Sequence, residues 1–108
     1  MDLITAEHDG WSWLREHTFR RDGGCIAPQR SIMGDLVAPD GCTGPLEWDH
    51  VKEHLKAGAK APNDEAHGVT VCSWHHRYSR SWRSDSKVNR ARIREYLRGV
   101  YPSVWGAV

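Results

Sequence analysis

Cys72-Ser73-Trp74-His75 sets a thiol and an imidazole three positions apart. That spacing lets one turn present two ligands to a single tetrahedral ion. The only other thiols in the chain are Cys25 and Cys42, so a closed site that uses every cysteine consists of Cys25, Cys42, Cys72 and His75. Such a centre ties a turn-rich stretch to a later helix, and structural zinc contributes on the order of 10 kcal/mol to the folding of small domains. The plain alternative is three small buried apolar residues, and a different fourth ligand stays open because the interval from Cys25 to Cys42 is not a standard knuckle.

The supply of apolar side chains argues in the same direction. Leu, Ile, Val and Phe make up only 19 of 108 residues, below the roughly 20% that accompanies disorder when net charge is also large. Net charge here is +1, and six Trp add apolar surface that a disordered chain seldom carries. An ordered fold helped by a metal is the reading that reconciles the two. At this length, with no internal period, one domain over residues 1–108 is expected. The first ten residues lack a basic then apolar leader pattern, and three cysteines cannot all pair, so a reducing, cytoplasmic location is expected rather than a disulfide framework. No stretch is long and apolar enough to span a bilayer.

Charge is unevenly distributed. Residues 1–76 hold 7 Lys/Arg against 12 Asp/Glu, whereas residues 77–98 hold 8 against 2. A basic stretch of this kind suits a polyanion such as nucleic acid, although a solvated helix face gives the same count.

The pattern of elements is that of an α+β chain. Trp11, Leu14 and Thr18 have helical spacing, and Gly23-Gly24 supplies a stop, which predicts a helix over about 11–22. Gly and Pro between Cys25 and Pro45 predict turns around a short extended piece at Cys25-Ile26-Ala27. Leu46–Val51 alternates as a strand does, residues 57–65 read as a surface loop, and Val69–Cys72 leads into a short helix that Ser73 could cap. From Ser86, a candidate N-cap, a last helix over about 86–100 sets Ile93, Leu97 and Val100 on one face and Lys87, Arg90, Arg94 and Arg98 on the next. Trp48, Trp74 and Trp82 read as core aromatics.

A second group is Asp49-His50 at the end of the predicted strand and His76 just after the metal-type pair. Neighbours in a strand point to opposite faces, so Asp49 can grip a divalent cation while His50 stays free to take a proton from water. Taken alone, such a pair reads as a turn cap and a histidine packed on Trp48. Read together, Asp49-His50, His67-Gly68-Val69-Thr70-Val71-Cys72 and Ser73-Trp74-His75-His76 resemble the HNH endonuclease family over roughly residues 25–80. The likeness is to the short zinc-containing members found in phages and prophages.

The resemblance implies a small ββα-metal, treble-clef-like core with flanking N- and C-terminal helices, and hydrolysis of DNA phosphodiester bonds by nicking or double-strand cleavage. It implies His50 as general base, Asp49 and His76 as ligands of one catalytic divalent cation (Mg²⁺, Mn²⁺, Ni²⁺ or Zn²⁺), and Cys25, Cys42, Cys72 and His75 as ligands of a structural Zn²⁺. His67 stands where the family has an Asn that holds the hairpin loop and the base by a hydrogen bond, which a His can also donate. Arg77, Arg80, Arg83, Arg90, Arg94 and Arg98 would hold DNA through its phosphates, with little sequence information. Short phage members work beside the terminase packaging machinery, which makes terminase subunits expected partners and the host cell cytoplasm the expected location. The competing readings are a catalytically inactive zinc-stabilised DNA-binding module, which the His67 replacement favours, and a toxin-type nuclease, for which the chain shows no delivery domain.

Overall fold

The computed structural model describes residues 2–52 and 61–106. Helix α1, Trp11–Asp22, stops at Gly23, whose left-handed backbone (φ 72°) returns its N–H to the Phe19 carbonyl. Its buried face is Leu14, Thr18 and Asp22, four residues apart, while Trp11 is 40% exposed and stands off the predicted seam. Two polar residues occupy the buried face because each serves a neighbour: Thr18 Oγ1 accepts the Trp48 indole N–H at 3.1 Å, and Asp22 accepts the Thr70 backbone N–H at 2.8 Å.

After a short helix α2, Arg30–Met33, strands β1, Leu46–His50, and β2, Gly68–Cys72, pair antiparallel with Leu46 opposite Cys72 and His50 opposite Gly68. All five residues of β2 are buried. A two-stranded sheet leaves the far edge of its inner strand to be satisfied, and here side chains and a turn do it. Arg21 Nη2 donates to the Gly68 carbonyl at 2.7 Å, Asp22 takes the Thr70 N–H, and the Ile26 N–H reaches the Thr70 carbonyl at 3.0 Å. Cys25-Ile26-Ala27 is therefore a turn against β2 rather than an extended piece, closed by the Gln29 N–H on the Ile26 carbonyl at 2.9 Å.

Helix α3, Lys87–Val100, begins where Ser86 Oγ accepts the Asn89 N–H. Its buried residues are Asn89, Ile93 and Leu97, whereas Val100 is 42% exposed. The space expected for Val100 is filled from the next element, α4, Pro102–Trp105, whose Trp105 is buried and donates its indole N–H to the Ala66 carbonyl at 2.8 Å. The core is a small α+β one: Ile26, Met33, Val69, Val71, Trp82, Ile93, Leu97 and Trp105, with Cys25 and Cys72 at its margin. Of the three tryptophans predicted inside, Trp82 is in the core, Trp48 is half-buried, and Trp74 is exposed with its N–H on Asp40.

The predicted surface loop at 57–65 is corrected in part of its described stretch: Pro62 is exposed, but Ala61 is buried, and Asp64 and Glu65 are buried where the N-terminal segment pairs with them. His54 and residues 57–60 lie outside the described residues. Among the described residues no helix is long and apolar enough to cross a membrane.

Gly68 fixes how the hairpin meets α1. A Cβ there would lie 2.0 Å from Trp48 Cε2 and Cζ2. Gly68→Ala is expected to push Trp48 off Thr18 and cost about 1–3 kcal/mol, the range for overpacking, as a lowered urea midpoint at unchanged slope.

Candidate functional site

The first centre is made by three segments meeting at the open end of the hairpin, where Leu46 pairs with Cys72. Cys72 ends β2, and the chain then winds into one wide turn, Trp74–Tyr78, in which the Ser79 N–H reaches the Trp74 carbonyl at 2.8 Å. Ser73 does not cap this turn; its own backbone is helical, and its hydroxyl donates to the Thr43 carbonyl at 3.2 Å. The reason is docking: the Ser73 N–H is taken by the Pro45 carbonyl and the Trp74 N–H by the Thr43 carbonyl, which carries Cys42 onto the Cys72–His75 turn. Gly44 allows the approach, since a Cβ there would meet Ser73 Oγ at 1.9 Å and its φ is +86°.

His75 Nδ1 then faces the sulfurs of Cys72, Cys42 and Cys25 at 3.1, 3.7 and 3.8 Å. All four ligand atoms lie within 4.8 Å of one another. Zn–S and Zn–N bonds of about 2.3 and 2.0 Å in a tetrahedron place ligand atoms at such separations, so this group can hold a metal ion such as zinc. The far ring nitrogen, Nε2, lies 3.2 Å from Asp40 Oδ1. A carboxylate accepts there, so Nε2 carries the proton and Nδ1 keeps its lone pair for the metal. Trp74, Ser79 and Ser81 also donate to Asp40, Trp74 foremost in holding its carboxyl well below the usual range. Burial pushes the Cys25 and Cys42 thiols up, with Cys72 adding to it in both, which is what a cation inserted among them would relieve.

The second centre lies along β1. Alternation sends Glu47 and Asp49 to one side and Trp48 and His50 to the other. The turn after Cys72 swings His76 over the carboxylates, with Nδ1 2.8 Å from Glu47 Oε1 and Nε2 3.4 Å from Asp49 Oδ1. Asp49 is buried, and its Oδ2 makes no hydrogen bond, with Arg90 Nη2 3.9 Å away. Burial works to raise the Asp49 carboxyl, but His76, Arg90 and Ser84 outweigh it and hold it below its ordinary value. Asp49 in turn, with Glu47, raises the His76 imidazole against the effect of burial.

Asp49 and His76 line a cavity of about 630 Å³ together with His50, Lys52, Lys87, Arg90 and Arg94. His50 packs its ring 5.2 Å from that of Trp48 and sets Nε2 3.0 Å from the Pro62 carbonyl. A carbonyl only accepts, so Nε2 carries a proton, and in the uncharged form of the ring the lone pair lies at Nδ1. His67 is not among the residues lining this cavity. It is buried at the start of β2, with Nδ1 2.7 Å from Asp64 Oδ1 and its carbonyl on the Val51 N–H, tying together the two ends of the connection between the strands.

The six predicted DNA-binding arginines do not form one stripe. Arg90 and Arg94 line the cavity, Arg90 donating to the His50 carbonyl at 3.1 Å. Arg94 Nε is buried without a hydrogen-bond partner, and burial together with nearby Arg90 disfavours its charge. Arg77 is drawn to Glu47 beside His76, Arg83 to Asp85, Arg80 is exposed, and Arg98 lies at the far end of α3 against the Trp105 carbonyl. Lys52 is a cavity cation that sequence reasoning passed over, since it stands alone after the strand.

Comparison with protein-family models, with curated proteins and with solved structures finds no match to this chain.

Proposed function

We propose that the chain is a metal-dependent endonuclease of the HNH type, acting on DNA, with Zn²⁺ at Cys25, Cys42, Cys72 and His75 as a structural ion. The observation that carries this reading is the buried Asp49 Oδ2, without a hydrogen bond and 3.9 Å from Arg90, beside His76 in a cavity rimmed by cations. A buried carboxylate oxygen without a hydrogen bond, next to an imidazole, is a donor set suited to a divalent cation, and the β1–β2 hairpin followed by the turn that carries His76 supports reading this segment as a ββα unit. Glu47 on the other ring nitrogen of His76 is the kind of outer carboxylate that orients a ligating histidine. A divalent cation at Asp49 and His76 would offset charge on the phosphate and on the departing oxygen.

The chain's own residues do the rest. His50, its Nε2 proton fixed on Pro62, takes a proton from water at Nδ1 as the water oxygen bonds to phosphorus. The P–O3′ bond breaks with its electron pair passing to O3′, which takes a proton from solvent water, leaving a 5′-phosphate and a 3′-hydroxyl. Arg90 and Arg94 steady the phosphate backbone, with no dedicated base-reading element, so sequence preference is weak or delegated. Work beside a phage terminase in a host cytoplasm follows from the family resemblance.

The reading is tested by incubating zinc-loaded protein with plasmid DNA in Mg²⁺, Mn²⁺, Ni²⁺, Zn²⁺ or EDTA. Ion-dependent cleavage is expected; salt-sensitive binding with no cleavage in any ion would favour the inactive DNA-binding module. A finer expectation concerns the cations. Arg94→Ala removes one phosphate contact, so the slope of log K against log[salt] falls by about 1. An unchanged slope in a filter-binding series would return Arg94 to an ordinary surface role.

A further inference from the structure

The N-terminal segment received no role in the sequence reading, yet it is bonded to the loop that touches His50. Ala6 N–H donates to the Asn63 carbonyl at 2.8 Å, Thr5 bridges antiparallel to Asp64, and Glu65 N–H donates to the Ile4 carbonyl at 2.9 Å. The three residues that follow Pro62 are therefore each paired with Ile4–Ala6. The segment is itself closed into a turn: Asp9 N–H reaches the Thr5 carbonyl at 3.0 Å and His8 N–H the Thr5 hydroxyl at 2.9 Å, just before α1 begins. Glu65 gathers the arrangement, its carboxylate accepting from the Ile4 N–H at 2.8 Å, His17 Nε2 at 2.6 Å and the Tyr101 hydroxyl at 2.8 Å.

The geometry points to Ile4–Ala6 as a positioning strap for the base: by pairing with Asn63–Glu65 it holds the Pro62 carbonyl on His50 Nε2 and so keeps the lone pair of the ring at Nδ1. In its catalytic consequence this rests on the nuclease reading above; in its structural content it does not. Proline has no N–H, so Pro62 contributes only its carbonyl to backbone bonding, and its direction is set by the chain on either side. On the C-terminal side that chain is the strapped segment. An imidazole released from the carbonyl exchanges its proton between the two nitrogens, and the fraction with Nδ1 unprotonated falls.

The test uses the full-length zinc-loaded chain and two variants. Ala6→Pro deletes the donor to Asn63 at a position whose preceding residue is already extended, as proline requires. Glu65→Gln keeps the shape of the side chain and weakens its hold on Ile4 and His17. Zinc content and circular dichroism certify folding, and the ¹⁵N shifts of the His50 ring, read at a pH where the imidazole is neutral, report the tautomer. The expected result is the Nε2–H form in the parent and a mixture in both variants, with kcat for plasmid cleavage down on the order of 10- to 100-fold, as for other orienting partners of histidines, and KM for DNA unchanged. An Nδ1–H ring in the parent overturns the proposal even if neither variant folds. So does an unshifted tautomer in a folded variant. A parent that shows the expected tautomer and its loss in the variants, but never cleaves DNA, upholds the strap and sinks the nuclease reading instead.

Discussion

A Cys72→Ser chain is expected to bind no zinc at the Cys25–Cys42–Cys72–His75 cluster and, with that, to lose its cooperative unfolding transition. Cys72 has the nearest of the three sulfurs to His75 Nδ1, and it stands at the end of β2, where the hairpin, the Cys42 loop and the His75 turn converge. The apolar core that remains is small, and structural zinc in small domains carries an apparent binding free energy of roughly 10–16 kcal/mol. Set beside the 5–15 kcal/mol that a typical domain has in total, loss of such a centre leaves little net stability. The parent should carry about one zinc per chain by atomic absorption and melt in a single step, and a strong chelator should abolish that step. A Cys72→Ser protein that melts as the parent does, without metal, would return the cysteines to the role of small buried residues.

Asp49→Ala is expected to keep the structural zinc and lose the second ion. The carboxylate is the only oxygen ligand proposed for that ion, and its Oδ2 makes no hydrogen bond that would compete. Titration of zinc-loaded parent with Mn²⁺, followed by electron paramagnetic resonance, should show one saturable site that the variant lacks. Cleavage should fall about 10³-fold, the loss that follows when several kcal/mol of charge stabilisation is withdrawn from the transition state. Asp35→Ala, which removes an exposed carboxylate paired with Arg30, serves as the control and should leave both readouts unchanged. Equal Mn²⁺ binding in parent and Asp49→Ala would move the ion to other residues.

What was legible in the sequence was local or chemically distinctive. Cys72 and His75 share one turn, so their spacing spoke directly, and the two remaining thiols had nowhere else to go. Gly23 ended α1 and Ser86 began α3 because caps act within a few residues of where they stand. The structure used other signals that a sequence hides. Arg21 and Asp22 close the buried edge of β2, yet charge alone sends them to the surface. Asn89 takes a core position by donating to the Arg83 carbonyl, and Trp105 enters the core only after Pro102 has restarted the chain in a new direction. The Ile4–Ala6 pairing runs through backbone groups, which every residue carries alike, so no side-chain pattern announces it. The candidate catalytic group was visible as three residues, Asp49, His50 and His76; its outer partners Glu47 and Pro62 became visible only once the strand and loop were folded together.

The claim that joins these parts is that His50 takes the proton from the attacking water. Its most direct measurement is the rate at which supercoiled plasmid is converted by parent and His50→Ala protein, both zinc-loaded, at saturating Mn²⁺. The account predicts a fall of about 10²–10⁴-fold, the usual contribution of a general base, with DNA affinity and Mn²⁺ binding retained. Equal rates in the two proteins would contradict it.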